Sequence, residues 1–261
     1  MDLLTLIFFS FLAASLICVF TWWVCVKIDN YSLIDAVWAF LFVLMSPMLV
    51  IYSHGYPPRK IVLAIMFMLW GGRLSMHLFK RILGHLERED TRYQALRTEY
   101  GANVKRRFFI FFQYQALSVV ILLLPMWVVS QNTEALTHPF EILGLGLWMI
   151  GIVGESISDR QLAHFAKTST DKMQVCKIGL WRYSRHPNYF FEAVLWLGYA
   201  LYASGSPHGY LAWIATGIIW FLLLKVTGIP YAEAQSLKKR GDAYRQYQRE
   251  TSAFFPLPPK L

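Results

Sequence analysis

Leu3-Leu-Thr-Leu-Ile-Phe-Phe-Ser-Phe-Leu-Ala-Ala-Ser-Leu-Ile-Cys-Val-Phe-Thr-Trp-Trp-Val-Cys-Val26 is a run of 24 residues without a charge. At about 1.5 Å of rise per helical residue, it outlasts a hydrocarbon core of about 30 Å. Six further apolar segments follow it: Ser32–Ser53, Ile61–Lys80, Arg107–Ser130, Pro139–Ser158, Pro187–Ser204 and His208–Gly228. A backbone in lipid must satisfy its own polar groups, so each segment reads as a helix. The expectation is an all-α integral membrane protein, a seven-transmembrane helix bundle forming one domain over residues 1–261. Composition agrees, with 56% hydrophobic and 16% charged residues against about a quarter charged in soluble domains. A secreted domain, a disordered chain and an ordinary cytosolic enzyme are excluded. The first segment lacks a basic stretch before it and a small-residue cleavage site after it, so it is expected to stay as a span. Cys18, Cys25 and Cys176 are odd in number and form no Cys-x-x-Cys pair, so neither a disulfide framework nor a metal site is signalled.

The net charge of +9 is sorted by loop. Lys80, Arg81, Arg88, Arg92, Arg97, Lys105, Arg106 and Arg107 lie between segments three and four. Arg160, Lys167, Lys172, Lys177, Arg182 and Arg185 lie between segments five and six, and seven more cations follow from Lys225 to Lys260. The stretches 131–138 and 205–207 hold none, and the turn before segment three holds only Arg59 and Lys60. The positive-inside rule places the N-terminus outside and the C-terminus in the cytosol. The charge then reflects topology and anionic-lipid contact, not nucleic acid. Glycines 144, 146, 151 and 154 give segment five a surface for close helix approach. The run Gly144-Leu-Gly-Leu-Trp-Met-Ile-Gly151 lacks the preceding strand of a dinucleotide fingerprint, so that reading is set aside.

Ionisable groups inside spans are expensive and mark function. Here they are Asp35, Arg73, His77, Glu155 and Glu192, all in the cytosolic half under this orientation. Arg73 and His77 share a face at i, i+4 spacing. The densest chemistry is Gly179-Leu-Trp-Arg-Tyr-Ser-Arg-His-Pro-Asn-Tyr-Phe-Phe-Glu192. Pro187 suits the first position of a helix, and Arg182, Arg185 and His186 ring its N-terminus as a candidate anion site. Asn188 and Glu192 stack one turn apart inside it. Glu155 and Asp159 read as acids near a helix C-terminus, where the dipole disfavours them and donors are needed. Tyr244 and Tyr247, with Arg245 and Arg249, form an aromatic and basic tail that either closes over a nucleotide or anchors at the interface.

With these residues in view, the chain resembles bacterial membrane proteins related to the steroid 5-alpha-reductases, the group sharing the 3-oxo-5-alpha-steroid 4-dehydrogenase C-terminal domain. The carrying motifs are Glu155-Ser-Ile-Ser-Asp159-Arg-Gln-Leu, the 179–192 stretch and Trp196-Leu-Gly. Glu89-Asp90-Thr-Arg-Tyr93 and the stretch from Tyr244 to Pro256 add to them. The resemblance implies a seven-helix reductase of the cytoplasmic membrane, holding NADPH from the cytosolic side and reducing a carbon–carbon double bond conjugated to a carbonyl. It implies Asp159 on the adenosine–diphosphate portion and Asn188 with Glu192 on the nicotinamide carboxamide. It puts Glu155, Arg182, Tyr183, Arg185, His186, Tyr189, Tyr244 and Tyr247 around the cofactor, with the cofactor-binding half over residues 139–261. Glu155 stands where the steroid enzymes have asparagine. Their Gln-Glu pair and tyrosine for the substrate carbonyl have no recognisable counterpart; Asp35 with Trp38, and Arg73 with His77, occupy comparable depth. Hydride addition to an enone generates an enolate, which needs a proton donor or a cation at the oxygen. Asp35, or His77 beside Arg73, is the candidate, and a lipid-like, steroid-like substrate enters from the bilayer. The alternative is a membrane methyltransferase of the isoprenylcysteine or phospholipid type using S-adenosylmethionine. That class shares Arg-His-Pro-x-Tyr but usually carries paired glutamates where this chain has Glu233 alone.

Overall fold

The computed structural model describes residues 1–84, 86–135, 137–171 and 173–260, so Lys172 of the charge-sorting argument lies outside the described residues. Among the described residues the regular secondary structure is helical, apart from an isolated bridge between Ser184 and Ser252. The helices are α1 (Leu3–Ile28), α2 (Leu33–Tyr52), α3 (Pro57–Leu83), α4 (Thr91–Tyr100), α5 (Val104–Leu122), α6 (Leu124–Val129), α7 (Pro139–Thr168), α8 (Pro187–Ser204), α9 (Ala212–Phe221) and α10 (Ile229–Glu250). Among them, α1, α2, α3, α7 and the helical run Gly209–Glu250 are long and apolar enough to cross a membrane. The protein is a multi-pass integral membrane protein.

Two expected spans come out differently. Segment 107–130 is two helices, because the chain breaks at Leu123 before Pro125, which cannot donate to a continuing helix. The segment 187–204 forms α8 as expected, but its 18 residues include Asn188 and Glu192, and it is not among the strongly apolar helices. Segment five is longer than its apolar stretch. Its polar continuation, Arg160-Gln-Leu-Ala-His-Phe-Ala-Lys167, is built from good helix formers and extends α7 to Thr168. Glu155 and Asp159 therefore sit more than two turns before the helix end, and the expectation that they lie at a C-terminus is corrected.

The chain divides into two compact units. In the first, residues 1–137 with 206–208, α1 packs on α5 and α2 on α3. The core is aromatic: Phe42 stacks on Phe67 at 5.9 Å and meets Trp70 edge-on, while Tyr31 stacks on Phe108 at 3.8 Å. In the second, residues 138–205 with 209–261, the pairing of α7 with α8 is the most extensive. A side chain on Gly151 would put its Cβ 2.6 Å from that of Leu195, one on Gly154 would run into the Phe191 ring, and one on Gly144 into the Tyr202 backbone. Gly198 of α8 is equally tight against Trp148. Gly146 has open space, so it takes no part in the close approach expected of it.

Candidate functional site

Within the second unit, the stretch before α8 is pinned from both sides. Gly179 takes a positive φ of 53°, which seats the turn on Gln161 of α7, and the Gln161 Oε1 accepts from the Leu180 amide at 2.9 Å. Trp181 Nε1 donates to the Ser158 carbonyl of α7 at 2.9 Å. From the other side, the Arg185 amide donates to Ser252 at 2.9 Å, Ser184 Oγ to the Phe254 carbonyl at 2.8 Å, and the Leu257 amide to Tyr183 at 3.0 Å. Pro187 begins α8, as expected from its missing donor.

Glu233 of α10 gathers the charges of this stretch. Arg185 is bidentate on it, at 2.8 and 3.2 Å, and His186 Nε2 lies 2.9 Å away. Tyr244 Oη donates to the same carboxylate at 2.9 Å, and so does the Gln248 amide. The remaining Arg185 nitrogen bonds the Gln248 and Thr251 carbonyls at 3.1 and 2.5 Å. Tyr247 Oη donates to the Trp181 and Ser184 carbonyls. Charge-assisted, multiply bonded groups of this kind are the strong ones. The sequence reading gave Glu233 no structural role, since it is one of three acids, with Asp242 and Glu250, in a basic tail. It also expected free cations around the α8 terminus. Arg185 and His186 are instead committed to Glu233, and Tyr244 and Tyr247 are buried at 4% and 1% exposure. That removes the interfacial-anchor reading of the two tyrosines.

Against this scaffold lies a cavity of about 240 Å³, whose wall includes Trp181, Arg185, His186, Asn188, Tyr189, Arg240, Tyr244 and Tyr247. Tyr189 and His186 stack with ring centroids 5.5 Å apart. Asn188 Oδ1 is buried and has no hydrogen-bond partner among the described residues. Cys176 is on the wall as well, and burial pushes its thiol up. Arg240, which sequence reasoning missed, presents a cation to the same cavity while its Nε holds the Gln174 carbonyl at 2.8 Å. The structure thus brings together Arg185, His186, Asn188, Tyr189, Tyr244 and Tyr247. Glu155, Asp159, Arg182, Tyr183 and Glu192 are not on this wall. Arg182 and Tyr183 are exposed, because the tight turn of Gly179–Arg182 carries them outward. Glu192 accepts from Trp196 Nε1 at 2.8 Å, one turn along its own helix, and Glu155 is buried.

The first unit holds the other candidates. Asp35, in the first turn of α2, accepts from Arg92 Nη2 at 2.6 Å and from Tyr93 Oη at 2.6 Å. The Asp35 carboxyl is thus engaged by both a guanidinium and a phenol. Arg92 also bonds Asp90 at 3.2 Å. Burial alone would raise the Asp90 carboxyl, but the hydrogen bonds from Arg92 and the charges of Arg92 and Arg81 hold it below the usual range. Arg92 and Tyr93 were legible only as part of a motif. Arg73 is half-buried on α3 and His77 is exposed. Trp38 donates to Ser118 Oγ at 2.9 Å.

The family described as "Protein of unknown function (DUF1295)" matches residues 21–251. An uncharacterized protein of Schizosaccharomyces pombe is 25% identical over 90% of this chain and 75% of its own length. Mouse 3-oxo-5-alpha-steroid 4-dehydrogenase 1 is 38% identical over 73 residues, 28% of each chain, and the human protein of that name is 37% identical over the same share. The chain thus spans under a third of the length of these steroid enzymes. No solved structure matches it.

Proposed function

The chain belongs to the DUF1295 family, and we propose that it is a membrane reductase which transfers a hydride from NADPH to the carbon–carbon double bond of an enone in a steroid-like or other lipid substrate. The observation that carries this reading is Asn188 Oδ1, a buried acceptor on the cavity wall with no partner among the described residues. Such an atom costs about 1–3 kcal/mol unless a ligand donor meets it, and a carboxamide N–H₂ is a donor of the right kind. Partial similarity to the steroid dehydrogenases supports the same cofactor.

The wall suits a dinucleotide in parts. Asn188 would accept from the carboxamide, and Tyr189 and Trp181 would flank an aromatic ring. Arg240 would face phosphate, since Arg185 is already neutralised by Glu233. A cavity of about 240 Å³ falls below the ~300–1,000 Å³ usual for drug-sized ligands, so it accommodates one portion of the dinucleotide. Asp159 and Glu155 on α7, with Glu192 on α8, are proposed for the remainder. When bound, the cofactor supplies the hydride. The protein supplies orientation and electrostatics, and Asp35, or His77 beside Arg73, is proposed for the proton that the reduction requires. Seven spans, an external N-terminus, a cytosolic C-terminus and residence in the cytoplasmic membrane complete the proposal.

The test is Asn188→Leu in the full chain. Removing an unpartnered buried acceptor leaves thermal stability equal or higher, while NADPH affinity, read by fluorescence titration of the purified protein, falls about tenfold. Unchanged affinity in a folded variant rejects the assignment. Binding of S-adenosylmethionine in place of NADPH would favour the methyltransferase.

A further inference from the structure

A second cavity, in the first unit, plays no part in the reading above. It measures about 460 Å³ and is lined by Tyr100, Asn103, Arg106, Arg107, Ile110, Phe111 and Tyr114. Three features give it a chemistry. First, α5 opens with Lys105, Arg106 and Arg107 and has no acid in its first turn. Cations at a helix N-terminus oppose the dipole, so this arrangement disfavours the isolated helix and favours one with an anion beside it. Second, among the described residues neither Arg106 nor Arg107 has a carboxylate partner. Arg107 rests over the Tyr100 ring at 5.9 Å, and both line the cavity. Third, an exposed stripe of the helix runs through the cavity lining and one turn past it to Leu117. Asn103, Arg107, Ile110, Tyr114 and Leu117 follow at spacings of four, three, four and three, which is one stripe of an α-helix. Ile110, Tyr114 and Leu117 are 40%, 65% and 43% exposed, whereas Phe108, Phe112 and Ala116 on the other face are fully buried.

A cationic end, a tyrosine beside it and an apolar stripe below form, in order, the complement of a phosphate, an ester region and an acyl chain. We propose that this groove is a binding site for an anionic phospholipid, with the headgroup phosphate on Arg106 and Arg107 and one acyl chain along Ile110, Tyr114 and Leu117. Arginine suits the phosphate because its planar fork gives paired hydrogen bonds.

The experiment uses the full chain in mild detergent, titrated with palmitoyl-oleoyl phosphatidylglycerol or the matching phosphatidylcholine and read by native mass spectrometry. The expected result is one phosphatidylglycerol retained in preference to phosphatidylcholine. In Arg106→Gln/Arg107→Gln, its affinity falls about tenfold or more while the protein still elutes as a single species. Arg106→Lys/Arg107→Lys keeps the charge without the paired hydrogen bonds, so it keeps the preference at an affinity between those of the native protein and the glutamine pair. Inorganic phosphate at equal molarity leaves the lipid bound. Equal retention of the two lipids, unchanged affinity in the glutamine pair, loss of preference in the lysine pair, or displacement by inorganic phosphate each overturns the proposal.

Discussion

At the scale of single residues, the second unit depends on one carboxylate. Glu233 receives Arg185 twice and takes bonds from His186, Tyr244 and Gln248. Its side chain is 14% exposed and that of Arg185 is 11%, so this is a nearly dry pair, and taking one partner away strands the other. Glu233→Gln is expected to cost about 3 kcal/mol, seen as a lower unfolding temperature and faster proteolysis after Lys238 or Lys239. Asn188→Leu has the opposite stability signature, and the contrast separates a residue that holds the site from one that awaits a ligand. The motif from 179 to 192 was legible because proline, histidine, arginine and asparagine are unusual at the mouth of an apolar segment. Glu233 was not, since an acid in a polar helix carries no pattern of its own. The packing of α10 on the α8 terminus brings it Arg185 and His186. Asp35 was found for its depth. Depth says that a carboxyl needs donors, and the fold supplies Arg92 and Tyr93.

At the scale of elements, the contact of α7 with α8 is set by small residues. Gly151 faces Leu195 so closely that any side chain must displace backbone. Gly151→Val is expected to destabilise the second unit by about 1–3 kcal/mol or more, whereas Gly146→Val, in open space, leaves the unfolding temperature unchanged. Thermal unfolding of the two variants side by side checks this. Sequence periodicity suggested the glycine surface but not its membership, because residues 144, 146, 151 and 154 are equally small and only the partner helix decides which of them it meets. The length of α7 shows the same limit. Hydropathy ends the segment where the membrane would end, but helix propensity carries the backbone on to Thr168, and the two acids move from a presumed terminus to the helix interior.

At the scale of the whole molecule, the proposed orientation puts residues 131–138 outside and the basic stretches inside. The two exceptions on the sparse side are accounted for: Arg59 bonds the Glu134 carbonyl at 2.8 Å and Lys60 the Ser53 carbonyl at 2.6 Å, both buried. The three native cysteines are buried, and burial pushes the Cys176 thiol up, so all three are expected to stay silent to a membrane-impermeant maleimide. Thr133→Cys is then expected to label in intact cells, and Ala243→Cys only after the membrane is opened; the reverse pattern rejects the orientation. What the sequence determined alone is the class of molecule: apolar runs of membrane length admit only helices, because lipid offers no partner for a stray amide or carbonyl. It also marked the stretch where chemistry gathers. The tertiary structure decided which polar groups are spent on one another and which, like Asn188 Oδ1, have no partner among the described residues. Hydrogen-bond satisfaction belongs to pairs of residues far apart in the chain, and spacing along the chain does not encode which pairs will meet.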